Sequence, residues 1–249
     1  GEEEDEEGWG DVAAEEQDAV PHIPIVYMDE SFAVVSKPAG MLVHRSREAG
    51  DKVFLLQTLR DQLSRHIYIV NRLDRAVSGL MCIAFDSETA AKAQEVLARN
   101  DSIKEYVAVV RGATPEGTFE CCAPLKDKDS RLRVSRDARS DFTTISSFPV
   151  EISEPLLPSL VNKSSSPAPP AAATDGLEGD QGAGLFVRNL TVSVVKVVIQ
   201  TGRRHQIRRH LQGMAHHILG DTSYGKGRIN QALRDGYGLP RLCLHSRRL

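Results

Sequence analysis

The segment Asn71-Arg72-Leu73-Asp74-Arg75 sets a carboxylate between two guanidiniums, with Ser78-Gly79-Leu80 close behind. Neighbouring cations favour the charged form of an acid, so Asp74 reads as an ionised carboxylate. A positioned carboxylate serves as nucleophile or base. An Arg–Asp pair is also a common structural device, and this segment alone leaves both readings open. Lys104-Glu105-Tyr106 places a phenol at the start of a strand pattern. Its ring suits stacking on a base and its hydroxyl suits proton donation; a half-buried sheet tyrosine is the plainer alternative. The third segment is Thr201-Gly202-Arg203-Arg204-His205-Gln206-Ile207-Arg208-Arg209-His210. Thr201-Gly202 ends a strand pattern and a helix follows. Ile207, Leu211 and Met214 recur at helical spacing and face inward. Arg204 and Arg208 share another face, one turn apart. The helix start adds free N–H groups and a positive dipole end. Together these suit phosphate contacts, or simply make a solvated basic helix.

Other chemistries find little support. His205, His210, His216 and His217 cluster in sequence, but no carboxylate or thiol pattern accompanies them, so no metal is expected. The cysteines Cys82, Cys121, Cys122 and Cys243 form no C-x-x-C pair, which argues for idle thiols in a reducing compartment. No P-loop, dinucleotide fingerprint or nucleophile elbow occurs. No small-molecule cofactor is expected.

The elements that position these residues follow from patterning. Ile25-Val26-Tyr27 and Phe32-Ala33-Val34-Val35 read as two strands around Asp29-Glu30-Ser31. Residues 54–64 read as a helix, and Gly79–Phe85 as a buried strand. A helix capped by Asp86 or Ser87 runs to about Arg99. Glu105–Val110 and Leu190–Ile199 are further strands. Strands come singly and in pairs with few helices between, which predicts an α+β fold with a mixed, mostly antiparallel sheet. Residues 1–22 read as a disordered acidic tail. Residues 23–249 read as one catalytic domain, interrupted at 151–184 by a low-complexity insertion rich in Ser, Pro and Gly.

The net charge of −3 conceals a segregation. Residues 1–19 carry ten acids and no base, leaving 31 basic against 24 acidic groups elsewhere. Residues 203–249 hold ten Lys/Arg and two Asp. A local basic excess of this kind points to a polyanionic partner. No run of apolar residues is long enough to span a bilayer, so no membrane partner is expected.

These motifs resemble a known family. Arg72-Leu73-Asp74-Arg75 with Ser78-Gly79 is similar to the catalytic signature of the RluA-type pseudouridine synthases. Lys37-Pro38-Ala39-Gly40-Met41-Leu42-Val43-His44 resembles their first motif. Tyr106 falls in the second, Thr201–Arg208 in the third and Arg241-Leu242-Cys243-Leu244-His245 in the last. Order and rough spacing match as well, over residues 23–149 and 186–249. Leu42-Val43-His44-Arg45-Ser46, Gln57-Thr58-Leu59-Arg60-Asp61-Gln62 and Arg208-Arg209-His210-Leu211 resemble the branch of bacterial tRNA pseudouridine synthase C.

The resemblance implies a sheet flanked by helices and loops around an RNA-binding cleft, and roles by position. Asp74 is then the catalytic carboxylate, acting at the sugar by attack on C1′ or by removal of a 2′ proton. Tyr106 stacks on the target base and helps move the C5 proton. Arg208 pairs with Asp74, Arg72 enters the base stack, and Leu244 walls the pocket. The sequence departs from the family at Asn71, where relatives carry His, and in the insertion. Relatives also continue beyond the position of Leu249, and many carry an S4-type domain where this chain has its acidic tail.

The function expected is isomerisation of uridine to pseudouridine in a structured RNA, tRNA before rRNA. The alternative is an RNA-binding assembly or structural factor on a ribosomal particle that keeps the fold without the chemistry. A monomer in the cytoplasm is expected, with mitochondrion or plastid as alternatives.

Overall fold

Alternation along Phe32-Ala33-Val34-Val35-Ser36-Lys37 turns Ala33, Val35 and Lys37 inward. The Asp29 carboxylate accepts the N–H groups of Ser31 and Phe32 at 2.8 and 2.9 Å, closing the turn before this strand. Such local chemistry sets most of the elements in the computed structural model, which describes residues 21–44, 53–99, 101–126, 134–154 and 186–249. Residues 1–20 of the expected acidic tail and residues 155–184 of the expected insertion lie outside the described residues.

The chain runs β1 (Ile25–Met28), β2 (Phe32–Lys37), α1 (Leu55–Leu63), β3 (Tyr68–Ile69), β4 (Ser78–Ala84), α2 (Ser87–Ala98) and β5 (Lys104–Arg111). It continues with β6 (Thr118–Cys121), β7 (Leu125–Lys126), β8 (Ser135–Arg136), β9 (Ser140–Glu154) and β10 (Phe186–Ile199). The last elements are α3 (Gln206–Gly213), α4 (Gly227–Tyr237) and β11 (Leu244–Arg248). Asp86 caps α2 by accepting the Thr89 N–H at 2.7 Å, as its position before the apolar pattern predicts. Residues 151–154, expected to open the insertion, belong instead to β9, which runs to Glu154 along β10. Backbone pairing holds a polar edge that composition alone assigns to a loop.

The main sheet has the order β1-β2-β4-β11-β5-β10-β9-β6, with β3 also on β4, and β7–β8 forms a separate hairpin. Among these strands every pairing is antiparallel except β11 with β4. This is the expected α+β fold with a mixed, mostly antiparallel sheet. The continuous apolar run of β4 lies near the sheet centre and is buried except at Leu80. The main core joins Ala33, Val35, Leu55, Leu59, Met81 and Ile83 to the inward faces of β5 and β10. Among the described residues no helix is long and apolar enough to cross a membrane.

Strand register builds the platform beneath the candidate site. Lys37 pairs with Gly79, Gly79 with Ser246, Ser246 with Tyr106, and Tyr106 with Val197. One lateral row therefore crosses five strands and collects residues from three of the sequence motifs, with Ser246 directly after a fourth. The row closes tightly at Gly79, whose φ is +114° and where a Cβ would stand 2.1 Å from the Ser246 carbonyl oxygen. Gly79→Ala is expected to lower stability by about 3 kcal/mol, from positive-φ strain plus overpacking. Urea unfolding measures this; a loss under about 1 kcal/mol would mean that the β4–β11 contact is looser than described.

Candidate active site

Asp74 lies on the connection between β3 and β4, and three interactions shape that connection. The Asn71 side chain accepts the Cys82 N–H at 2.7 Å, and Val77 N–H donates to the Asp74 carbonyl at 3.1 Å. Arg75 exchanges hydrogen bonds with Gly40: its carbonyl accepts the Gly40 N–H at 2.8 Å and its Nε donates to the Gly40 carbonyl at 2.9 Å. Beneath them the fully buried Lys37 donates to the carbonyls of Pro38, Met41 and Arg75 at 2.7, 2.8 and 3.0 Å. An ammonium has three donors, and here each has an acceptor. Burial pulls Lys37 down to about 8, while the Asp74 charge pulls the other way. Lys37 thus staples the loop after β2 to the loop that carries Asp74. Lys37→Met leaves three inward carbonyls without their donor. It is expected to cost about 2–3 kcal/mol in urea unfolding and to loosen Asp74; unchanged stability would show that water replaces the ammonium.

The second half of the site comes from the turn after β10. Buried Gln206 accepts from the Thr201 hydroxyl at 2.7 Å and the Arg203 N–H at 3.0 Å. Its amide nitrogen donates to the Arg139 carbonyl at 2.9 Å. This side chain ties the turn to β9 and fixes where α3 starts. Arg204 therefore precedes the helix, and it does not share a helical face with Arg208 as the spacing predicts. Arg208 is not a solvated phosphate-binding group either, since its side chain is 6% exposed. Its guanidinium grips Asp221 through Nε and NH2 at 2.7 and 2.8 Å and reaches Asp74 Oδ2 through NH1 at 3.4 Å. Burial opposes the charge on both Arg208 and Asp221. Their mutual pairing outweighs it, holding Arg208 above and Asp221 below their ordinary ranges. The N–H groups of Ser223 and Tyr224 also donate to Asp221, both at 2.9 Å.

The Asp74 side chain itself stays 30% exposed. Tyr106, in the row below, is buried; burial first and the Asp74 charge second push its hydroxyl up to about 12, so it is a neutral phenol. Arg72 is exposed, and among the described residues no side-chain hydrogen bond or ion pair joins it to Asp74. Leu244 is 3% exposed in the main core, paired with Ala108.

The four histidines of residues 205–217 diverge. His210 is buried between the Ser140 hydroxyl and the Ala123 carbonyl, while His216 and His217 meet the carbonyls of Arg111 and Tyr224. Among the described residues no group of three or more His, Cys, Asp or Glu is placed to hold a metal. His205 instead faces Asp74 Oδ2, with Nε2 at 3.6 Å. Beside it opens a cavity of about 470 Å³ whose lining includes Lys126, Arg136, Arg203, Arg204 and Arg209 together with His205 and Tyr224. Sequence reasoning missed Asp221, His205 and Tyr224 as members of this cluster. The available signal was Asp221 itself, a carboxylate in an otherwise basic segment.

The arrangement offers one partly exposed carboxylate, steadied by a buried cation, whose charge reaches a neutral phenol and which shares His205 with a basic cavity. The family model of RNA pseudouridylate synthase matches residues 31–213. The chain belongs to this family. Its reaction is the isomerisation of uridine in RNA, which breaks the C1′–N1 bond and forms C1′–C5 with no change in composition. Among curated relatives, tRNA pseudouridine synthase C of Vibrio vulnificus is 33% identical over 230 residues, covering 91% of this chain and 84% of the relative. The enzyme of that name from Haemophilus influenzae is 36% identical over 230 residues, covering 90% and 84%. Among solved structures, human RNA pseudouridylate synthase domain containing 1 aligns with a TM-score of 0.62 at 20% identity, covering 92% of this chain and 78% of that one. That likeness concerns the synthase fold. The match to the synthase family ends before Asp221, so Arg208's tightest partner lies outside it.

Proposed function

We propose that this synthase acts on tRNA, with Asp74 as the carboxylate that works at the ribose. The observation that carries the role of Asp74 is its exposure beside a buried Arg208–Asp221 pair. Attack on C1′ and removal of a 2′ proton both need an ionised carboxylate that a sugar can reach. The names of the relatives favour tRNA over rRNA. Tyr106 presents a neutral phenol at the base-binding side and assists loss of the C5 proton. Exposed Arg72 enters the stack as the uridine leaves it, which offsets part of the few kcal/mol that unstacking costs. Leu244 supports the pocket from the core side. The basic cavity beside His205 tracks the phosphate backbone. Residues 23–249 act as a single domain, monomeric and cytoplasmic, with RNA as the partner.

The test is a pseudouridine map of cellular RNA, by carbodiimide-dependent reverse-transcription stops, with and without the protein. Loss of a defined tRNA site supports the proposal and names the substrate. Loss of an rRNA site instead removes the tRNA assignment. A chain that binds RNA while no site is lost would be an assembly or structural factor on the synthase fold.

A further inference from the structure

His205 holds a left-handed backbone conformation, φ 54° and ψ 30°, at the N-terminal boundary of α3. Such a conformation is uncommon outside glycine and persists where surrounding contacts over-determine it. Here they do. Nδ1 lies 2.9 Å from the Tyr224 hydroxyl, the two rings meet edge to face at 5.5 Å, and Nε2 lies 3.6 Å from Asp74 Oδ2. Tyr224 is itself fixed: its N–H donates to Asp221 at 2.9 Å, and the Arg208 guanidinium lies 4.9 Å from the centre of its ring. Asp74, Arg208, Asp221, Tyr224 and His205 therefore close a ring of side chains, and His205 is the link that returns to Asp74.

The two ring nitrogens of a neutral imidazole have opposite roles. A lone pair on Nε2 would face a carboxylate oxygen, whereas an N–H there would be attracted to it. The arrangement therefore puts the proton on Nε2, with the Tyr224 hydroxyl donating to Nδ1. Arg208 NH1 approaches the same oxygen, Oδ2. Among the described residues the other oxygen, Oδ1, accepts no side-chain hydrogen bond.

We propose that His205 is a second positioning residue for Asp74, its Nε2–H and Arg208 together holding Oδ2 so that Oδ1 is presented to the ribose. This rests on the reading of Asp74 as the catalytic carboxylate. The hold depends on protonation. The charged groups facing His205 are Asp74 and Asp221, which favour its cation, and Arg208 and Arg204, which oppose it; Tyr224 faces it as a neutral phenol. Burial is the largest influence and keeps His205 below the ordinary imidazole range, hence neutral at pH 7. Acidification turns a neutral donor into a cation against Oδ2. The stronger ion pair draws charge from the carboxylate and slows the reaction.

The experiment is single- and multiple-turnover conversion of an RNA substrate across about pH 5 to 9, with wild type, His205→Asn and His205→Gln. Asn tolerates the left-handed backbone but falls short of Asp74, whereas Gln places an N–H near the position of Nε2. His205→Asn is expected to lower kcat about 10- to 100-fold, as a misplaced reacting group does, with KM within about threefold of wild type. His205→Gln should recover most of that loss. In both variants the acid limb of kcat should lose the His205 titration, which in wild type lies below the ordinary imidazole range. Kcat of His205→Asn within about twofold of wild type, or an acid limb unchanged in both variants, overturns the proposal. If His205→Asn fails to fold, the pH profile of His205→Gln decides. Wild type that makes no pseudouridine overturns the reading beneath it; active wild type matched by His205→Asn overturns this inference alone.

Discussion

Asp74→Asn is expected to abolish pseudouridine formation, by about 10⁴-fold or more, as removal of an essential reacting group does, and to leave RNA binding in place. The geometry separates the two effects. Asn has nearly the shape of Asp but neither its charge nor its nucleophilicity. Arg208 keeps its bidentate pair with Asp221 at 2.7 and 2.8 Å, so the substitution does not orphan a buried cation. The stability change should stay within about 1 kcal/mol, because the 3.4 Å contact is loosely made and Asp74 is partly exposed. The site loses one negative charge among cations, so RNA affinity should hold or rise. Single-turnover conversion and filter binding on one tRNA preparation check both halves. Turnover above about one per cent of wild type would remove Asp74 from its role.

The second large effect is expected at Asp221, which sequence reasoning did not select. Asp221→Asn leaves the Arg208 guanidinium buried with its bidentate partner neutralised, and breaking such a pair costs about 3–5 kcal/mol. The freed guanidinium turns toward the nearest remaining carboxylate, Asp74, and holds it more tightly than the 3.4 Å contact does now. Activity should fall about 100-fold in the fraction that remains folded, through misplacement of the reacting group. Arg208→Met with Asp221→Leu tests the account, because replacing a buried ion pair by apolar groups often restores stability. The double variant should recover stability and stay inactive. Recovery of activity would show that the pair serves the fold alone.

Asp221 also predicts a pH dependence. Its folded pKa lies below the ordinary carboxylate value, so its stabilising contribution is fully present above about pH 4. That contribution is lost as pH falls through the depressed folded value. Acid unfolding of Asp221→Asn should therefore show a flatter loss of stability below about pH 4 than wild type. Parallel curves would place the acid sensitivity in other carboxylates.

Several parts of the structure are legible in local sequence because they depend on local forces. Alternation in Phe32–Lys37, the apolar run of β4 and the Asp86 cap each depend on neighbours within a few residues. The family resemblance is legible for a related reason. Asp74, Tyr106 and Arg208 sit in short motifs whose order survives whatever lies between them, including the segment from 155 to 185. Other features depend on groups far apart in the chain. Spacing puts Arg204 and Arg208 on one helical face, but Gln206 starts the helix after Arg204 by bonding across to Arg139. Composition makes Arg208 a solvated cation, but packing of α3 buries it against Asp221. The histidines of residues 205–217 cluster along the chain and separate in space because each finds a different acceptor.

By itself, then, the sequence determined the family, five of the eleven described strands, three of the four described helices, and the motif residue Asp74. It could do so because hydrophobic period, turn chemistry and capping act over a few residues. Only the tertiary structure decided that Lys37, Gly79, Ser246 and Tyr106 form one row. It alone also decided that Arg208 is shared between two carboxylates and that His205 faces Asp74. Those outcomes depend on strand register and burial. Both are settled by the competition of all segments for one core, which no local window contains.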